Sequence, residues 1–235
     1  MERFGDVRTG SGVFVAGNTL LRADPGRRVC LADRTNVQDN EEAQADFQRE
    51  VLEVNREFSE GYAELYRRRG YRAVVGVGPS PRTSFNPGRR PTIGRGLQRE
   101  PFARIVGDVR LGAGSAVGRR TSIRADEGSP VVIGAGAQIE DRVTFHALSG
   151  ERIDIGSGLD TDDNVVFHGP LRVGDRLTIA DDAIVFLAVV GDDVTIGDRA
   201  VVVGPADDPI DLPDGAQVPA GAVITTQAQA DALRP

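Results

Sequence analysis

The 235-residue sequence has no lysine and no tryptophan, a single cysteine, a single methionine and two histidines. Each scarcity closes off an explanation. Cys30 has no partner for an internal disulfide, so the fold is not stapled and suits a reducing compartment. No apolar run approaches the roughly eighteen residues of a membrane span, and no charged-then-apolar leader is visible. The expectation is therefore a cytoplasmic protein with no membrane partner. Arginine supplies all 28 side-chain cations against 35 acids, and the net charge of −7 argues against a nucleic-acid partner. A chain of this length can bury roughly 70% of its unfolded surface, so a stable core is available.

That core has an unusual period. From Ile105 to Val203 an aliphatic or aromatic residue recurs every sixth position: Ile105, Leu111, Val117 and Ile123, then Ile133, Ile139 and Phe145. The series resumes with Ile155, Thr161, Phe167, Val173, Ile179 and Val185, and ends with Val190, Ile196 and Val202. Fifteen of these sixteen positions are apolar, Thr161 being the exception. Six fits neither a helix nor an alternating strand. It fits a β-helix of hexapeptide repeats, in which three short strands make a coil and each sends one apolar residue inward. The breaks at 123–133 and 145–155 are one hexapeptide plus a four-residue loop.

The main β-helix is expected over 102–224. Residues 5–39 repeat residues 107–141 at a constant offset of 102, as in GDVR at 5–8 and 107–110. Segment 1–39 therefore reads as a partial duplicate of the first coils, a natural terminal cap. It stops before the histidines, and Gln44 stands where His146 would fall. Segment 40–70 reads as an inserted amphipathic helix, with Phe47, Val51, Val54, Phe58, Tyr62 and Leu65 on one stripe. Asp39 and Glu42 resemble a capping box, and Gly70 a stop. Segment 71–101 reads as a Gly/Pro/Arg-rich connection, whose arginines 82, 89, 90, 95 and 99 are either solvated charge or an anion patch. Segment 225–235 reads as a short C-terminal helix.

His146 and His168 each follow an inward position, Phe145 and Phe167. Their separation of 22 is three hexapeptides plus one four-residue loop, which places them on one face of consecutive coils about 4.8 Å apart in backbone. Two imidazoles so stacked can share a metal ion; the plainer alternative is two unrelated surface histidines. A catalytic zinc site takes three protein ligands and an open position. Asp163 is the best third candidate, but it lies two residues past Thr161, on a different face of the prism. In a symmetric trimer it would instead meet the pair of a neighbour. Glu127 suits proton transfer if an activated water lies nearby, and is otherwise a solvated loop acid.

SIRADEG (122–128), FHAL (145–148), FHGP (167–170) and VPAGAVITTQAQAD (218–231) together resemble the γ-class carbonic anhydrases and their relatives over residues 101–231. The resemblance implies a left-handed parallel β-helix, a homotrimer with metal sites between subunits, and carbon dioxide or bicarbonate as substrate. It implies that His146 and His168 are two metal ligands from one subunit, and it puts Asp163 where the family has its third histidine. The implied metal is divalent, zinc or Fe(II). Arg124 and Asp126 match a pair that ties subunits together, and Glu127 matches an acid linked to proton transfer. The family's NxQD element is QIED here, placing Glu140 where a glutamine stands and keeping Asp141. Ser149 stands where some members have an acid.

Three function classes follow. The first is a carbonic-anhydrase-like lyase. The second is a relative without that activity, serving as a trimeric assembly subunit or in other metal-assisted chemistry. The third, a hexapeptide acyltransferase, needs a single histidine and would not call for two in register.

Overall fold

A coil that turns one residue inward every sixth position leaves its backbone N–H and C=O groups pointing along the coil axis. Only another coil of the same shape, directly above or below, can satisfy them. The computed structural model of the chain meets this demand. It describes the backbone of residues 2–4, 6–10, 14–15, 20–22, 28–31, 36–37, 47–70, 76–205 and 208–233. Side chains are described from residue 53 onward within these ranges, together with residues 8 and 10. The chain divides into two units, 1–60 and 61–235.

In the second unit, parallel pairing stacks three inward columns. Ile105, Ile123, Phe145, Phe167, Val185, Val202 and Ile224 form the first. Leu111, Ile133, Ile155, Val173, Val190 and Leu212 form the second. Val117, Ile139, Thr161, Ile179, Ile196 and Val218 form the third. All sixteen positions of the hexapeptide series are buried, including Thr161 at 1% exposure. Thr161 is tolerated there because its hydroxyl oxygen accepts a hydrogen bond from the Glu140 N–H at 3.2 Å. Phe145 and Phe167 stack nearly parallel with ring centroids 4.6 Å apart, in the coils that carry the histidines.

The corners explain why Gly and Asp follow the inward residues. At Gly134 an added Cβ would lie 2.6 Å from backbone atoms of Gly156 in the next coil, so only glycine lets the chain turn this tightly. Aspartates then tie the corners together: the N–H groups of Ser157, Asp175 and Asp192 donate to the carboxylates of Asp175, Asp192 and Asp214. Each carboxylate bonds the coil before its own.

The Gly/Pro/Arg-rich stretch contributes coil strands at its two ends. Val77–Gly78, Thr92–Ile93 and Gln98–Arg99 pair in parallel with Arg104–Gly107, Val109–Leu111 and Ala116–Val117. Between the first two runs a loop, residues 79–91. Helix α1 (Phe47–Arg69) ends at Gly70, whose φ is +72° and whose N–H donates to the Tyr66 carbonyl at 2.9 Å. Residues 38–46, where the capping box was expected, lie outside the described residues. Helix α2 (Gln227–Asp231) starts with a capping box between Thr226 and Gln229. Among the described residues no helix is long and apolar enough to cross a membrane.

In the first unit, Glu2–Phe4 pairs with Leu20–Arg22, Asp6–Thr9 with Arg28–Leu31, and Phe14–Val15 with Asn36–Val37, all in parallel. Adding 102 to each partner reproduces the main register: Arg3 with Leu21 becomes Ile105 with Ile123, and Val7 with Val29 becomes Val109 with Val131. The side chains of Val15, Leu21, Leu31 and Val37 lie outside the described residues.

Two substitutions check this architecture. Phe167→Ala should cost about 3–5 kcal/mol, the range for deleting a fully buried aromatic. Gly134→Ala should cost about 1–3 kcal/mol by overpacking against the next coil. Urea midpoints measure both, and a Gly134→Ala midpoint equal to wild type would contradict the corner contact.

Candidate metal centre

The strand Thr144–His146 carries His146, and the strand Val166–Val173 carries His168 near its start. The two are direct register partners, one coil apart. Their rings meet edge to face with centroids 5.3 Å apart, and His168 meets Phe186 of the following coil in the same way at 4.7 Å. Both are buried, at 6% and 5% exposure. Arg124 stands in register before His146 and Phe186 after His168. The histidine column therefore runs beside the inward Phe145–Phe167 column.

The hydrogen bonds set opposite tautomers. His168 Nδ1 lies 3.0 Å from the Gly169 carbonyl, which can only accept, so Nδ1 carries the proton and Nε2 keeps its lone pair. His146 Nε2 lies 3.0 Å from Glu127 Oε1, so its proton sits on Nε2, facing the carboxylate. Burial, then the neighbouring His146, pushes the His168 pKa down to about 4, which keeps its imidazole neutral and suited to ligating a cation.

Glu127 follows the strand Ser122–Ala125 on a loop packed from several sides. Asp126 is fully buried, and its Oδ2 accepts from Arg124 Nε at 3.2 Å and from the Tyr62 hydroxyl of α1. Burial alone would raise the Asp126 carboxyl, but Arg124 and the Tyr62 hydrogen bond outweigh it and hold the group below the ordinary aspartate range. Asp126 Oδ1 is buried without a hydrogen-bond partner among the described residues. Arg124 and Asp126 pair with each other within the chain.

The remaining expected residues stand elsewhere. Asp163 lies on a corner, where its Oδ1 accepts from the Asp141 N–H at 3.0 Å and its Oδ2 pairs with Arg142 at 2.6 Å. Its own N–H donates to Asp181 Oδ1 at 2.9 Å. Asp141 does the same one coil earlier, accepting from the Arg119 N–H at 2.6 Å. Glu140 is exposed beside this corner, its backbone bonded to the hydroxyls of Thr121 and Thr161. The chain thus gathers His146, His168, Glu127, Asp126 and Arg124, while Glu140, Asp141 and Asp163 belong to the corner. Among the described residues of one chain, no three His, Cys, Asp or Glu side chains form a group able to hold a metal ion.

Two contributors are not signalled by the repeat. Tyr62 reaches Asp126 from a helix read only as an apolar stripe. Glu151, in the loop after His146, is half-buried with Oε2 lacking a partner among the described residues. Burial, then the Glu127 charge, pushes it up to about 7. A loop acid near a site acid is a weak signal, because loop length rather than period decides where it points.

A parallel β-helix with two buried, in-register histidines beside a glutamate defines a hexapeptide-repeat protein of carbonic-anhydrase-like design. No protein-family model matches the chain. The carbonic anhydrase of Methanosarcina thermophila is 33% identical over 174 residues, covering 66% of this chain and 68% of that protein. The carboxysome assembly protein CcmM of Nostoc sp. is 37% identical over 143 residues, covering 57% of this chain and 25% of its own length. That of Synechococcus elongatus is 35% identical over 156 residues, covering 61% and 28%. The chain thus spans about two thirds of the first relative and about a quarter of the other two. It belongs to the γ-class carbonic anhydrase family as a divergent member.

The buried ionisable groups predict opposing pH slopes. His168, depressed from 6.5 to about 4, contributes up to about 3 kcal/mol that is present above pH 6.5 and lost as pH falls towards 4. Glu151, raised from 4.5 to about 7, contributes stability that is present below pH 4.5 and lost as pH rises through 7. Between pH 4.5 and 6.5 the two oppose. Urea midpoints of metal-free Glu151→Gln should therefore rise with pH in this window more steeply than those of wild type, while those of His168→Phe should fall. Parallel pH profiles for the two variants would contradict both assignments.

Proposed function

We propose that the protein is a carbonic-anhydrase-like metalloprotein that works as a homotrimer on carbon dioxide or bicarbonate. His146 and His168 of one subunit and Asp163 of a neighbour would hold a divalent ion, an N,N,O set that zinc or Fe(II) accepts. The observation carrying this reading is the pair of buried imidazoles in register, with His168 held neutral and its Nε2 lone pair kept free by the Gly169 carbonyl. A ring nitrogen oriented by a backbone carbonyl is the usual support of a histidine ligand. When bound, such an ion activates water as a nucleophile.

The chain's own residues divide the remaining work. Glu127 Oε1 accepts from His146 Nε2 across an N–O distance of 3.0 Å and is placed to accept protons at the site. Arg124 and Tyr62 keep the adjacent Asp126 charged. Asp163 already uses both oxygens on its corner, but each carboxylate oxygen has two lone pairs, so a further bond is available.

That corner role also favours a second reading, in which Asp163 is structural, the ligand set stays incomplete and the chain acts as a trimeric assembly subunit. Metal content at matched pH and zinc separates the two. The first reading expects Asp163→Ala to lose metal as strongly as His146→Ala, and Asp163→His to retain more than wild type. Equal metal in wild type and Asp163→Ala would leave the assembly reading. Sedimentation should give a trimer at micromolar concentration; a monomer would remove the shared site altogether.

A further inference from the structure

Glu127 is fixed against His146 from outside the coil that carries it. The peptide around it is gripped at two points. On one side Asp126 is held through its carboxylate by the Tyr62 hydroxyl and through its carbonyl by the Asn86 side-chain amide. On the other side Gly128, at φ +94°, lies so close to the Phe85 carbonyl that an added Cβ would sit 2.5 Å from its oxygen. Neither gripping residue is free to drift. Asn86 is buried, its side-chain oxygen accepts from the Gly88 N–H at 3.0 Å, and its carbonyl accepts from the Thr83 N–H at 2.9 Å. The Tyr62 ring carries the Arg104 guanidinium over its face at 4.8 Å.

We infer that Tyr62 and Asn86 are positioning residues that aim the Glu127 carboxylate at His146 Nε2, making the C-terminal part of α1 and the 79–91 loop parts of the site. Both segments are otherwise readable as packing helix and solvated connection, so nothing in the repeat assigns them this task. The physical argument is that one loop residue cannot fix its own carboxylate. A side chain with three rotatable bonds keeps a single hydrogen bond only if its backbone is immobile, and here the peptides on both sides are tied to other elements. The inference rests on the reading of His146 as a site residue, but its test needs neither metal nor turnover.

With only two histidines, imidazole N–H protons of the metal-free, ¹⁵N-histidine-labelled chain can be assigned using His146→Gln. In wild type His146 shows a protected Nε2–H and His168 a protected Nδ1–H. Tyr62→Phe keeps the ring and removes only the hydroxyl; Asn86→Ala removes the second tie. Each should speed solvent exchange of the His146 Nε2–H about ten-fold, the loss of roughly one hydrogen bond's worth of protection. The His168 Nδ1–H should stay as in wild type. An unchanged His146 signal in Tyr62→Phe overturns the inference even if Asn86→Ala does not fold. Equal loss at both histidines also overturns it, since that would report general loosening. Failure of zinc to bind would leave these signals untouched, so the two readings fail separately.

Discussion

Backbone hydrogen bonding along the axis is the constraint on which the described coils depend. Each strand pairs with the equivalent strand one coil away, so the vertical neighbours of every side chain are fixed by register. Phe145 must meet Phe167, and His146 must meet His168. A shift by one residue would exchange inward and outward faces and break the apolar columns and the histidine pair together. Site geometry and core stability are therefore the same commitment.

The corners show how acidic composition is used structurally. Turning after two or three residues leaves N–H groups at each corner that the coil cannot satisfy alone. Aspartate is short enough to reach back one coil, which accounts for the columns Asp141–Asp163–Asp181 and Asp175–Asp192–Asp214. Arginines then relieve the stacked negative charge, Arg142 on Asp163 and Arg176 on Asp193. Exposed pairs of this kind add little stability individually, and their value lies in permitting so many carboxylates along two edges.

Much of this is legible before any coordinates. A six-residue period has few structural meanings, so the inward series fixes the coils and the offset of 22 fixes the histidine pair. Thr161 was the one odd member, and its hydroxyl bond to the Glu140 N–H explains the tolerance. Corner roles are less visible, because a carboxylate that caps a neighbouring coil has the same sequence signature as one awaiting a cation; Asp163 illustrates the ambiguity. Tyr62, Asn86 and Glu151 are hidden for another reason. They lie in a helix and loops without the period, where spacing indicates a face but not what a phenol, amide or carboxylate reaches.

The N-terminal strands reproduce the main register residue for residue at an offset of 102, and the copy, like the residues it matches, carries no histidine. The copied strands correspond to the coils that precede the histidine-bearing strands Thr144–His146 and Val166–Val173. Whatever selects strand pairing operates equally with and without the imidazoles, so the backbone path is not a device shaped around a metal ion. The histidines are written onto later turns of a repeat whose earlier turns pair in the same register without them.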